Sequence, residues 1–282
     1  MLDRSEVGKR GYLRENFRLF HLKDSRAERM EYHYHEFDKL ILLLRGKVTY
    51  VVEGISYFLQ PWDILLVQHN MIHVPIIDPS EPYERVVIWL NEGFVQRQSP
   101  PEQPLTRCFD VARQRNFHLL RQSSDRRLQY MRLIQQLEDA LHDQDFGHEL
   151  LANTTFLQLL VAVNRDILQD HTAEDTDSYR CDPKMEEILR YIADHLDGDL
   201  SVDQLAGQFY LSRYYLMHRF KAVTGSTLHQ YISQKRLLRA GELIRSGMPV
   251  MKAAEAAGFR EYSTFLRAFQ NTFHVSPREF NS

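Results

Sequence analysis

Apolar positions along this chain change their period about midway. From Asn16 to Leu90 they fall in short runs broken by turn residues. The spacing predicts strands at Asn16–Leu22, Met30–Tyr34, Lys39 to Gly46, Lys47–Val52, Ile55–Leu59, Ile64–Val67, His73–Ile77 and Arg85–Leu90, with turns at Glu53-Gly54 and Pro61-Trp62-Asp63. Many short strands at close intervals argue for a small antiparallel barrel or jelly roll. From Asn91 to Pro104 the pattern lapses, and Ser99-Pro-Pro-Glu-Gln-Pro104 excludes a helix there, so the whole stretch reads as loop.

Beyond it the period becomes helical. Leu128, Ile134, Leu137 and Leu141 form one stripe within a helix at about 125–142, and Leu150, Leu157, Leu160, Val161 and Asn164 another within 149–168. Phe156 to Val163 is apolar nearly all round, which implies burial on two sides. The polar, acidic stretch 171–182 reads as a linker.

A helix, tight turn and longer helix are then written twice. In the first copy Ser201 is an N-cap with Gln204 three residues on, Leu205, Ala206 and Phe209 form an apolar face, and Ser212 caps the second helix. Leu216, Phe220 and Val223 turn inward along that helix before Gly225 ends it. In the second copy Pro249 opens the first helix, Ala253, Ala254 and Ala257 permit close packing, and Gly258 makes the turn before Phe265, Phe269 and Phe273. A helix from about Thr227 to Ser246 joins the copies. At about 1.5 Å per residue it spans roughly 30 Å, near the pitch of B-DNA, so two helices can enter successive major-groove segments from one side.

Charge sharpens this picture. Residues 201–282 hold 11 Lys/Arg against 5 Asp/Glu, a balance of +6 in a chain of net −3, which leaves −9 for residues 1–200. The C-terminal part is the polyanion-binding candidate. Cys108 and Cys181 fit neither a disulfide framework nor a zinc spacing, as expected in a reducing cytoplasm. The charged start Leu2 to Lys9 is unlike a signal peptide, and no stretch has the roughly 20 apolar residues of a membrane span.

From about Met185 to Phe280 the chain resembles the AraC/XylS transcriptional regulators. The resemblance rests on Leu205-Ala206, Leu211-Ser212, Leu216, Phe220-Lys221, Gly225, Tyr231, Arg236, Ala240, Leu243-Ile244, Ala253-Ala254, Gly258-Phe259, Phe265, Phe269, Ser276-Pro277 and Phe280. It implies an α+β chain of two domains. Residues 1–170 form a cupin-like barrel or jelly roll with a helical dimerisation pair, 171–182 a linker, and 183–282 an all-α tandem helix-turn-helix domain. Carried over by position, Tyr214, Met217 and His218 face bases in the first recognition helix, with Ser212, Arg213 and Lys221 near the backbone. Tyr262, Ser263, Leu266 and Arg267 occupy the second, with Arg267 the candidate for a guanine and Arg260 and Lys252 for phosphates. Arg236, on the central helix, reads as a structural pairing residue.

His33-Tyr34-His35, Gly46, Pro61 and His73 also resemble the two cupin motifs. Metal-binding cupins add an acid where this chain has Lys39, and Glu36 and Asp38 lie one residue out of phase for a strand. His33, His35 and His73 could hold a borderline metal, but a missing acid and an added ammonium disfavour a cation. The favoured reading has no metal, no cofactor and no catalytic residue. Instead His33, His35, Tyr50, Trp62 and His73 line a pocket for a sugar or small aromatic effector. The function implied is a ligand-responsive regulator in the cytoplasm, an activator of a catabolic operon such as one for a carbohydrate, with promoter DNA, a second copy and RNA polymerase as partners. The alternative is a metal-dependent cupin enzyme carrying a DNA-binding tail.

Overall fold

The computed structural model describes residues 15–24, 32–169, 179–180 and 182–281, together with residues 13 and 30. Most of the proposed linker therefore lies outside the described residues. The chain divides into two compact units; apart from residues 53–55, which group with the second, the change falls between residues 180 and 181.

The first unit holds two sheets. One has five strands in the order β1 (Phe17–Asp24), β7 (Tyr83–Leu90), β2 (Asp38–Arg45), β5 (Ile64–Val67), β8 (Leu119–Leu120). The other has four: β6 (His73–Ile77), β3 (Val48–Val52), β4 (Ile55–Leu59), β9 (Tyr179–Arg180). The pairings in both sheets are antiparallel. Strand β2 is apolar almost throughout because both of its faces are covered. Leu40 and Leu42, with Ile64, Leu66, Val86, Ile88 and Leu90, belong to a core shared with helices. Lys39, Ile41 and Leu43 alternate with them and lie on the opposite, inner face. The expected strand at Met30–Tyr34 reduces to a bridge between His33 and His73; residue 31 lies outside the described residues.

A helix replaces part of the expected loop, and a second follows it in a stretch to which the sequence assigned no element. Helix α1 (Glu92–Gln98) is capped by Asn91, whose Oδ1 accepts the Phe94 N–H at 3.1 Å. Helix α2 (Arg107–Arg115) has no side-chain cap of its own at Thr106. Its entry is held from a distance, since Asn164 Oδ1 accepts the Cys108 N–H at 2.8 Å and Asn164 Nδ2 donates to Leu105 O at 2.7 Å. Asn164 thus sits in an apolar stripe because it satisfies backbone groups that would otherwise be buried unpaired.

Helices α3 (Ser124–His142) and α4 (His148–Gln169) pack on the first sheet, with Tyr130, Leu137, Phe156, Leu160 and Val163 fully buried. The Tyr130 hydroxyl donates to Asp166 at 2.8 Å, and Arg126 pairs with the same carboxylate at 3.0 Å. No helix among the described residues is long and apolar enough to cross a membrane.

The second unit is helical: α5 (Pro183–Asp194), α6 (Val202–Gln208), α7 (Arg213–Thr224), α8 (Leu228–Arg245), α9 (Val250–Ala256), α10 (Tyr262–Phe273) and a final 3-10 turn at Glu279–Asn281. Helix α8 opens with a capping box, in which Thr227 and Gln230 satisfy each other's backbone N–H groups. Leu237, Ala240 and Ile244 on α8 share a core with Ala253, Ala254, Phe265, Phe269 and Phe280. Small alanines on α9 let it approach closely, while three phenylalanines supply most of the apolar volume.

Candidate nucleic-acid interface and inner-face pocket

The two helix-turn-helix copies align element by element. Val202 corresponds to Val250 and Tyr210 to Gly258, 48 positions on, whereas Leu216 corresponds to Phe265 and Phe220 to Phe269, 49 positions on. The second turn is one residue longer. Tyr210 and Gly258 both take positive φ, 55° and 91°. That conformation is natural for glycine and strained for tyrosine.

Ser212 caps α7 as expected, its hydroxyl accepting the Tyr215 N–H at 3.2 Å. Ser212, Arg213, Tyr214, Met217, His218 and Lys221 are exposed on α7, and Leu216 and Phe220 are buried behind them. Tyr214 and His218 lie one turn apart with ring centroids 4.2 Å apart and planes tilted by 40°, an exposed polar-aromatic pair. Arg213 pairs with Asp203 at 3.1 Å, and Arg219 is committed to Asp182, the cap of α5. On α10, Tyr262, Ser263 and Arg267 are exposed, as are Arg260 before it and Lys252 on α9. Lys221, Arg260 and Arg267 form no ion pair among the described residues, so their charge is available to phosphate or base. Leu266 differs from expectation. It is half-buried against the α8–α10 core, although Met217 at the matching position of α7 is exposed.

Arg236 is structural, as its place on α8 suggested. Its Nε donates to Leu196 O at 2.8 Å and its terminal nitrogen to Gly198 O at 2.7 Å, closing the C-terminal end of α5 onto α8.

In the first unit, His33, His35 and His73 come together on the inner face, with one ring nitrogen of each within 4.8 Å of the others. Mutual backbone bonds, His33 N–H to His73 O at 3.1 Å and His73 N–H to His33 O at 2.9 Å, fix two of them. His73 Nδ1–H donates to Met71 O at 2.8 Å. Its Nε2 is therefore left as a bare acceptor, buried and without a hydrogen-bond partner among the described residues. Burial, and then the charge of Lys39, hold this imidazole well below its usual pKa, so it is neutral.

Tyr50 lies on the same inner face, its hydroxyl accepting a bond from Tyr83 at 3.1 Å. Trp62 does not join the group. It occupies the β4–β5 turn at φ 76° and packs against the core on the helix-covered side of the sheet. The indole near the histidines belongs to Trp89, 6.1 Å from the His35 ring and 4.4 Å from Phe37. In sequence Trp89 is one of several large residues in an apolar strand, and only its pairing opposite Lys39 reveals its side.

The donor set does not suit a cation. Asp38 lies on the helix-covered face, where its Oδ1 accepts from His69 Nδ1 at 2.8 Å, so it cannot complete the histidine trio. On the trio's own face stands Lys39, buried, with Arg85 beyond it. Arg85 is also buried, pairs with Asp24 at 2.5 Å and stacks over the Tyr83 ring at 4.2 Å. Arg85 is the inner-face group that sequence reasoning missed; Lys39 was placed beside the histidines, but only as a replacement for a metal-binding acid.

Comparison with known proteins follows the same division. Residues 19–160 match the family described as AraC-like ligand binding domain, and residues 205–282 match the helix-turn-helix domain family. The HTH-type transcriptional activator RhaS of Citrobacter koseri is 24% identical over 258 residues, covering 88% of this chain and 86% of that protein, and RhaS of Escherichia coli O6:H1 gives the same values. Among solved structures, ToxT from Vibrio cholerae is 17% identical with a TM-score of 0.35, covering 95% of this chain and 98% of that one. With an AraC-like ligand-binding domain followed by a helix-turn-helix DNA-binding domain, the chain belongs to the AraC/XylS family of transcriptional regulators.

Proposed function

We propose that the protein is an effector-responsive transcriptional activator that works as a homodimer on promoter DNA in the cytoplasm, with RNA polymerase as its partner. Its RhaS relatives are named activators. The observation that carries the DNA-binding part is the pair of recognition helices, α7 and α10, whose outer faces hold Tyr214, Met217, His218, Tyr262, Ser263 and Arg267 while their inner faces are buried. Arg267 is the base-reading candidate, and Lys221, Arg260 and Lys252 hold phosphates. At 18 residues, α8 is roughly 27 Å long, which suits successive major-groove segments.

Dimerisation is assigned to α3 and α4. Leu128, Met131, Leu150 and Leu151 are exposed there, and a groove of 420 Å³ runs between the helices beside Leu157 and Val161. Apolar side chains left out on two adjacent helices mark an interaction surface. Effector binding is assigned to the inner face around His33, His35, His73 and Tyr50.

Sequencing the DNA recovered with the full-length protein tests the regulator reading. One enriched promoter motif with two half-sites about a helical turn apart is expected. Binding should also weaken steeply with added salt, because phosphate contacts release counterions. Recovery of random fragments, with affinity indifferent to salt, would contradict the reading.

A further inference from the structure

We propose that the effector of this protein is a small hydroxy-carboxylate, its carboxylate taken by the Lys39 ammonium on the inner face and its hydroxyl by His73 Nε2. The proposal rests on the assignment of effector binding to that face and names the class of molecule bound.

Three features of the inner face converge on this chemistry. The first is charge. Lys39 is only 5% exposed and Arg85 likewise 5%. Asp24 neutralises Arg85 at 2.5 Å. The charged neighbour that acts on Lys39 is Arg85, a like charge, and Lys39 forms no hydrogen bond or ion pair among the described residues. With Lys39 protonated, two buried cations against one carboxylate leave one positive charge, which a monoanion balances. A neutral ligand would leave the ammonium desolvated and unpaired, whereas a carboxylate gives it a charge-assisted hydrogen bond.

The second is the tautomer of His73. Because Nδ1–H is spent on Met71 O, Nε2 accepts and does not donate. A ligand hydroxyl satisfies it and a second carboxylate does not, so the charged and the neutral polar ends of the ligand are distinguished. The third is position. Lys39 is paired opposite Trp89, whose ring lies within 6.1 Å of His35, and His35 is 5.4 Å from His73. The ammonium and the imidazole therefore lie on one face of the sheets together with the Trp89 and His35 rings. Burial, reinforced by Arg85, lowers the Lys39 pKa to about 7, and a bound carboxylate would hold the proton on the amine.

The test measures thermal shift and calorimetric binding of the full-length protein with two matched pairs: D-glucuronate against D-glucose, and 4-hydroxybenzoate against 4-hydroxybenzyl alcohol. At least one acid should bind and raise Tm while its neutral counterpart does not, and Lys39→Met should weaken that acid about tenfold or more. Without ligand, Lys39→Met should melt above the wild type, because it removes a buried charge and keeps the volume. Neutral partners that bind as well as the acids, in both proteins, would overturn the carboxylate and leave effector binding intact. Absence of binding by all four compounds would overturn the hydroxy-carboxylate class. A Lys39→Met protein that melts below the wild type would show that the ammonium already has a partner within the chain, and would also overturn it.

Discussion

Gly258 lies so close to Arg236 that a Cβ on the glycine would come within 2.8 Å of the arginine Nε, and within 2.1 Å of Leu196 O, the carbonyl that Nε binds. The second turn and the clasp on α5 are therefore one packing unit. Gly258→Ala has to break it while also adopting φ 91°. We expect a loss of more than about 2 kcal/mol of unfolding free energy, read by urea titration with far-UV circular dichroism. The matching position in the first copy predicts the opposite sign. Tyr210 holds φ 55° and is 95% exposed, so Tyr210→Gly relieves strain without losing packing and should be neutral or stabilising by about 0.5 kcal/mol. Equal destabilisation by both changes would refute the comparison.

Arg267→Ala should cost about 1–3 kcal/mol at the cognate site and relax preference at one base pair, whereas Lys221→Ala should weaken all sequences alike and reduce the salt slope by about one. Both side chains are exposed on the outer faces of their helices, so neither change should alter the melting curve. Competition binding against a randomised site separates the two behaviours. If Arg267→Ala weakened every sequence equally, Arg267 would belong with the phosphate contacts.

Leu150→Glu should convert the protein to a monomer at micromolar concentration without unfolding it. Leu150 is 68% exposed on α4, so in the monomer a carboxylate there stays in water, while in an interface it would be buried unpaired. Light scattering coupled to size exclusion reads the outcome. A mass unchanged from that of a wild-type dimer would remove this face from the interface.

The Lys39 ammonium gives the first unit a directional response to pH. Arg85 and His73 face it, and its folded pKa of about 7 lies below the roughly 10.4 of an unfolded lysine. Below pH 7 both states carry the proton and the full cost of burying the charge is present. Between about 7 and 10 the unfolded state binds more protons, so stability contributed at this site rises with pH. The Tm advantage expected of ligand-free Lys39→Met should accordingly be largest near pH 6 and shrink toward pH 9.5. Other groups titrate in both proteins, so the difference between the two curves isolates Lys39. A difference that stayed constant over that range would contradict the assignment.

Local rules determined much of this protein from sequence. The strands between Val48 and Val67, the caps at Ser201 and Ser212, and the doubled helix-turn-helix follow from periodicity and from residues whose side chains act on their own backbone within a few positions. Arg236 was legible as structural because it sits on the helix between the two copies. What the tertiary structure decided depends on partners far away in the chain. Helix α2 escaped notice because its cap, Asn164, is 56 residues on from Cys108. Trp62 and Trp89 exchanged places as pocket candidates because a turn and a strand parity choose the face of a sheet, and composition carries no face. Lys39 read in sequence as the loss of a metal ligand. Only the inner face, where Arg85 and His73 meet it, turns that absence into a positive charge with a use.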